Sequence, residues 1–403
     1  MFILIREIER VVDYMEQIQL VEYWDGFSAV AYAFYNQEVV YLFNHPHFPL
    51  KSKSFTQLDW SEDFNGADCL ILFQEYPTAI INMNNHQDIE SLYSILVHVL
   101  FHGYQFLLEE KRFPNEVLGF QYPLVKENIE WRNKERLALY HAVIEDEQEH
   151  KKQYIREFIS YREKRKSMIG EFLDYENLVE TVEGTAWLVE LQAKHRVSTQ
   201  TWKEVLDSYS NFLIDSTSST LHIRRSCYAS GLFICLILND IAPDWKSHFL
   251  HEEKSLYDIF KEYVTVEPRV LEEEQISRET DEIFLIAKKK KDDVFANFLR
   301  QDGYKLVIEG QIKTVSFDPM NIIYEENRVL HQSNVKVKLN EQEYLIQQPV
   351  LAYFNEDYKN AIQLELFSAN KPSIVHDVLH INGIGEIQGE ITESINAVRV
   401  KVL

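Results

Sequence analysis

The segment that most constrains this chain is Leu96-Val97-His98-Val99-Leu100-Phe101-His102-Gly103-Tyr104-Gln105, inside a long apolar-periodic stretch that begins near Asp88. Apolar residues recurring at that spacing predict a helix. His98 and His102 then project from one face a single turn apart, so both imidazoles can reach one metal ion. The pair alone also suits two core histidines with satisfied hydrogen bonds, so a further ligand is needed to choose between the readings.

A second segment, residues 175–190, supplies a candidate. It carries Glu183-Gly184-Thr185-Ala186 in a helical pattern whose apolar positions are Val179, Val182, Ala186 and Val189. A glutamate among apolar residues, with Gly184 and Ala186 permitting close helix approach, suits a buried carboxylate. Buried carboxylates are paired or metal-bound because an isolated charge loses too much hydration.

Together the two segments resemble the gluzincin group of zinc metallopeptidases over roughly residues 70 to 240. In that group a His-Glu-x-x-His helix supplies two ligands and a later Glu-Gly-x-Ala-type helix the third. The resemblance implies zinc on His98, His102 and Glu183. The chain departs from the pattern at Val99, where those enzymes place the glutamate that activates the metal-bound water. Glu180 lies three residues before Glu183 and is a candidate acceptor for a ligand histidine's free N–H, or a substitute base, with a surface glutamate as the alternative. Tyr228 is the candidate for stabilising a developing oxyanion, with an ordinary hydrogen-bonded buried tyrosine as the alternative.

The 403 residues predict two or three domains of a globular protein. A formal net charge of −23 argues against nucleic acid as partner, since phosphate binding needs concentrated Lys and Arg. The run Lys288-Lys289-Lys290-Lys291 precedes Asp292-Asp293 and reads as a solvated helix face. Cys69, Cys227 and Cys235 are too scattered for a disulfide framework and read as reduced thiols. Met1 to Ile5 is too short for a signal peptide, and no stretch approaches the roughly 20 apolar residues that span a bilayer. These features place the chain in the cytoplasm, away from membranes.

The expected architecture is α+β. A mostly helical metallopeptidase-like domain covers residues 1–300, with a small sheet over about 27–83 and helices over about 88–300. A C-terminal antiparallel β-sandwich or barrel-like domain covers 303–403. A first helix is expected from about Ile3 to Glu22. Phe27 to Tyr35 and Val39 to Phe43 read as a hairpin around Asn36-Gln37. Cys69 to Phe73 and Thr78 to Met83 read as strands. The second is the candidate edge that holds a peptide or protein ligand by β-augmentation, with a plain core strand as the alternative. His45, His47 and His86 read as surface loop residues. Asn128 to Arg165 reads as one long charged helix or two, with Leu137, Tyr140, Ile144, Tyr154, Phe158 and Tyr161 as its apolar markers, and Glu145 to Lys152 as a solvated face. Arg224 to Leu238, apolar nearly all round after Tyr228, reads as a buried helix whose Ala229, Ser230 and Gly231 allow close packing.

Three functional readings follow. The scaffold binds zinc without hydrolysis and acts in binding or regulation. It hydrolyses slowly with Glu180 as base. Or the three residues form a polar cluster in a metal-free structural protein. The oligomeric state is left open by the sequence.

Overall fold

The computed structural model of the chain describes residues 5–48, 55–65, 67–271, 275–355, 358 and 360–402. The chain is α+β and divides into two units, residues 1–114 with 130–274, and residues 115–129 with 275–403. The division thus falls at residue 274 rather than near 300, and the segment around 115–129 groups with the C-terminal β unit.

The first unit opens with α1 (Ile5–Gln17), followed by a 3-10 turn at Leu20–Glu22. The helix start expected at Ile3 lies outside the described residues. Ile8 and Val11 are buried on this helix, and Ile18 is buried just after it. The small sheet holds β1 (Ala31–Tyr35), β2 (Val39–Phe43), β3 (Thr56–Asp59), β4 (Cys69–Phe73) and β5 (Tyr76–Asn82), in the order β3-β2-β1-β5-β4. Asn36 makes the β1–β2 turn by accepting from the backbone N–H of Glu38 and Val39 through its side chain. Gln74 and Glu75 join β4 to β5 with positive φ at both residues, the signature of a tight hairpin turn.

One expectation fails here. The 78–83 strand, β5, is interior: it pairs with β1 in parallel and with β4 in antiparallel fashion, so its backbone groups are taken and it offers no edge to a peptide. Its unbroken apolar run, Ala79-Ile80-Ile81, is what a strand buried on both faces requires. His45 is also not a surface residue. Its ring is buried, with Nε2 2.9 Å from the Phe73 carbonyl oxygen.

The helices of this unit follow: α2 (Ile89–Leu107), then, after α3 (Glu116–Phe120) of the other unit, α4 (Lys126–Ile144), α5 (Gln148–Ile169), α6 (Glu171–Val179), α7 (Thr185–Val197), α8 (Trp202–Ile214), α9 (Ser216–Leu221), α10 (Ile223–Ile241), α11 (Lys246–Phe249) and α12 (Leu256–Tyr263). Asp88 caps α2 by accepting from the Ser91 N–H at 2.7 Å. Between α6 and α7 the chain stays helical but widens into a single π-turn, Glu180–Gly184. No helix of the described residues is long and apolar enough to cross a membrane. The three cysteines are free thiols, Cys227 and Cys235 fully buried.

In the second unit α13 (Arg278–Leu299) carries the exposed lysine run, and twelve strands follow: β6 (Tyr304–Phe317), β7 (Ile322–Glu325), β8 (Arg328–His331), β9 (Val335–Leu339), β10 (Gln342–Ile346), β11 (Val350–Phe354), β12 (Asn360–Ser368), β13 (Ser373–Val375), β14 (Val378–Ile381), β15 (Gly385–Gln388), β16 (Glu390–Glu393) and β17 (Ala397–Lys401). A nine-stranded sheet runs β10-β9-β6-β12-β11-β8-β7 with β17 and β16 branching from β6, and β13-β14-β15 form a separate meander. Pairing is antiparallel except at β17–β6, which is parallel. Alternate residues such as Val335, Val337 and Leu339 fill its core.

Candidate metal centre

α2 and the π-turn bring His98, His102 and Glu183 together, as the spacing and the resemblance implied. The two Nε2 atoms lie 3.0 Å apart. Glu183 Oε2 lies 3.2 Å from His102 Nε2 and 3.7 Å from His98 Nε2. A metal ion held by imidazole and carboxylate at about 2.0–2.1 Å in tetrahedral geometry has ligand-to-ligand edges of about 3.3 Å. The three edges bracket that value, so the group could hold a metal ion.

The partners of the outer ring atoms fix which way the lone pairs point. Gln105 donates its amide to the Val182 carbonyl and to Thr185 Oγ1. Its Oε1 is therefore turned to His102 Nδ1 at 2.8 Å, and that nitrogen carries the proton. His98 Nδ1 lies 2.9 Å from Glu190 Oε2, at ion-pair distance though off the line of a straight hydrogen bond. Tyr209 donates to Glu190 Oε1 at 2.8 Å and holds that carboxylate in place. With both Nδ1 atoms facing acceptors, both Nε2 lone pairs converge on one point.

Glu183 completes the convergence. Its Oε1 accepts from Arg224 Nη2 at 2.9 Å, and its buried Oε2 has no aligned donor. Burial opposes ionisation of Glu183, but His102, Arg224 and His98 outweigh it and hold the carboxyl well below the usual range. For His102 the balance runs the other way. Burial disfavours the charged ring, and Glu183 overcomes it to raise the pKa. Two largely buried carboxylates, Glu183 and Glu190, thus flank the histidine pair, and only Glu183 is paired with a guanidinium, so the arrangement favours one more positive charge.

The two residues expected to act in catalysis fare differently. Tyr228 stands beside the centre: its ring lies 6.5 Å from that of His98 and 5.5 Å from that of Trp187, and its hydroxyl interacts with Glu183. Burial and the Glu183 charge push its pKa well above the ordinary value, so it remains a hydroxyl donor. Glu180 is turned away and cannot replace the missing base or orient a ligand histidine. Both its oxygens accept from Arg162 at 2.6 Å, and Ser230 donates to one of them. The cause is the π-turn. Three residues of an ordinary helix place two side chains on one face, whereas the wider turn swings Glu180 and Glu183 to different sides. Glu190, Gln105 and Arg224 are the partners that the sequence reading missed. Glu190 lies seven residues after Glu183, two helical turns on, and that spacing was the available signal.

Gly184 and Gly231 let this happen. A Cβ on Gly184 would lie 2.5 Å from Gly231 Cα, and one on Gly231 would lie 2.6 Å from the Glu180 carbonyl oxygen. The π-turn and α10 therefore touch backbone to backbone. Val99 is fully buried in the apolar cluster with Leu96 and Leu100 and brings no carboxylate to the centre.

Comparison of the chain with family models, with curated proteins and with solved structures gives no match.

Proposed function

We propose that this chain is a zinc-binding protein with a metallopeptidase-like centre that works in binding or regulation, in the cytoplasm, rather than as a peptidase. One observation carries the reading: two Nε2 lone pairs and the unsatisfied oxygen of a buried carboxylate converge where a cation is wanted. Two imidazoles and one carboxylate are a donor set that zinc favours, with room left for a further ligand. A zinc ion held there would act as a Lewis acid toward an oxygen of whatever occupies that position.

The chain's own residues support binding better than turnover. Gln105 and Glu190 orient the histidines, Arg224 fixes one oxygen of Glu183, and Tyr228 offers a hydroxyl next to it. None of these is a free base. General-base assistance worth roughly 10²–10⁴-fold is forfeited with Val99 in place of a carboxylate.

Metal content of the purified protein tests this, with His98→Ala, His102→Ala and Glu183→Ala alongside. About one zinc per chain, lost in each variant, is expected. A protein that carries no metal and takes none from zinc buffers would instead be a structural or interaction module whose histidine pair shares a proton. A peptidase assay on the zinc-loaded wild type is expected to give no turnover, and turnover would return the protein to the hydrolases.

A further inference from the structure

Behind Glu180 lies a second buried polar cluster, built from Arg132, Arg136, Arg162 and Arg165 with Glu135, Glu176 and Glu180, all essentially without solvent exposure. Among the described residues four guanidinium groups meet three carboxylates there, and the looser pairing is localised. Arg162 and Arg165 are tightly paired, Arg162 with Glu135 at 2.7 Å and with Glu180 at 2.6 Å, and Arg165 with Glu135 and Glu176. Arg132 and Arg136, four residues apart on α4, are not.

Arg132 spends Nη1 on Ser219, donating to its carbonyl and its hydroxyl at 2.8 Å each. Its other edge, Nε with Nη2, is the fork that takes an anion side-on, and neither nitrogen has a partner. Arg136 donates from Nη1 to the Ser226 carbonyl at 2.9 Å, while its Nε is likewise unpartnered. Among the described residues the carboxylate oxygen in reach, Glu176 Oε2, is 3.8 Å from Arg132 Nε and 3.5 Å from Arg136 Nη2. Charge-assisted hydrogen bonds are about 2.7–2.9 Å. Two guanidinium groups therefore share one distant carboxylate oxygen in a buried interior, with Arg132 Nε, Arg132 Nη2 and Arg136 Nε left without an aligned acceptor, and under-compensated buried charge is among the most costly arrangements in a protein. Cys227 does not supply the missing charge. Its Sγ is 4.0 Å from Arg136 Nη2, and burial together with Glu176 pushes the thiol pKa up to about 12. Burial and the neighbouring Arg132 charge pull Arg136 down to about 10, in keeping with a guanidinium short of anions.

We infer that Arg132 and Arg136 hold a small inorganic anion of the halide class between them. A monatomic ion accepts from several N–H groups at once without fixed lone-pair directions, which suits donors reaching it from two side chains. This inference is independent of the zinc reading.

The test uses full-length protein and bromide as the probe. Thermal unfolding is followed at constant pH and ionic strength while sodium gluconate is replaced stepwise by sodium bromide. A saturable rise in Tm is expected in the wild type and not in Arg132→Met. Crystals of the wild type grown in bromide give the second readout, an anomalous peak within hydrogen-bond distance of both guanidinium groups, which holds even if the variant fails to fold. The absence of that peak overturns the inference. So does a Tm that is the same in both salts, or a bromide effect that survives in Arg132→Met. Stabilisation by inorganic phosphate but not bromide overturns the monatomic occupant.

Discussion

The two polar clusters on either side of the π-turn use the same kind of residue to opposite ends. On the Glu180 side, Arg162 and Arg165 are locked to carboxylates through short, mostly two-pronged contacts. On the Glu183 side, acceptors converge on a point with too few donors. Around Arg162 and Arg165 closed pairing builds structure, and around Glu183 open convergence builds a place for a ligand. Burial alone does not separate them, since Glu180 and Glu183 are both buried and three residues apart. What separates these two carboxylates is whether each oxygen has an aligned donor: both of Glu180 do, and Glu183 Oε2 does not.

The contrast breaks most readily at Arg162. Replacing it with methionine leaves Glu135 and Glu180 buried with fewer partners, and losing one member of a buried pair costs about 3–5 kcal/mol. Urea unfolding of Arg162→Met should show that loss, while His98→Ala in metal-free protein should lose far less. Similar losses in the two variants would erase the distinction between structural and ligand-binding clusters.

The closed cluster also predicts the acid limb of stability. Burial raises the pKa of Glu135 and Glu176, but the arginines outweigh it and bring both below the ordinary 4.5. A carboxylate whose folded pKa is depressed contributes stability that is complete above its unfolded value and erodes as pH falls from there through the folded one. Wild-type stability should therefore decline below about pH 4.5. Glu176→Gln, weaker at neutral pH, should show a flatter decline over that range. Parallel declines would mean that other groups set the acid limb.

Gly184→Ala attacks the hinge between the clusters. The added methyl meets Gly231 backbone at 2.5 Å, which no rotamer change relieves, so α10 or the π-turn must shift. Overpacking of this kind costs about 1–3 kcal/mol. Because the turn carries Glu183, zinc uptake should fall with stability. Unchanged uptake in a destabilised variant would show that the centre does not depend on the turn.

Much of this architecture was legible from sequence because its signals were local. The apolar period gave α2, the Asn36 turn gave the β1–β2 hairpin, and alternation gave the C-terminal strands. Of the centre, the grouping of His98, His102 and Glu183 was legible, since a one-turn spacing and a small-residue contact are readable along one chain. The π-turn was not, because one extra backbone step leaves the residue pattern unchanged, and Glu180 was misplaced as a result. The arginine cluster was missed for a different reason. On α4 the apolar markers Leu137 and Ile144 face solvent, while Arg132, Glu135 and Arg136 are buried. Pattern reading takes charge as exterior, which holds until charges pair. The usable clue was the choice of cation: the buried positions are arginine at 132, 136, 162 and 165, whereas lysines such as Lys152 and Lys166 lie exposed.

The smallest expected effect sharpens the open side of the contrast. Glu190 touches His98 only through the nitrogen that faces away from the centre, so Glu190→Gln leaves all three candidate ligands in place. Removing its charge weakens the pull on the Nδ1 proton and makes Nε2 a poorer donor, and partners of this type are worth about 10–100-fold in metal affinity. Competition with a chromophoric chelator should show zinc affinity lowered by that amount with one zinc still bound at saturation. The amide can turn its oxygen to His98 and its NH2 to the Tyr209 hydroxyl, which then accepts, so unfolding should change little. Wild-type affinity in this variant would mean that His98 is oriented by packing alone. A complete loss of uptake would mean that Glu190 is itself a ligand, and the centre would then have four protein donors and no open position.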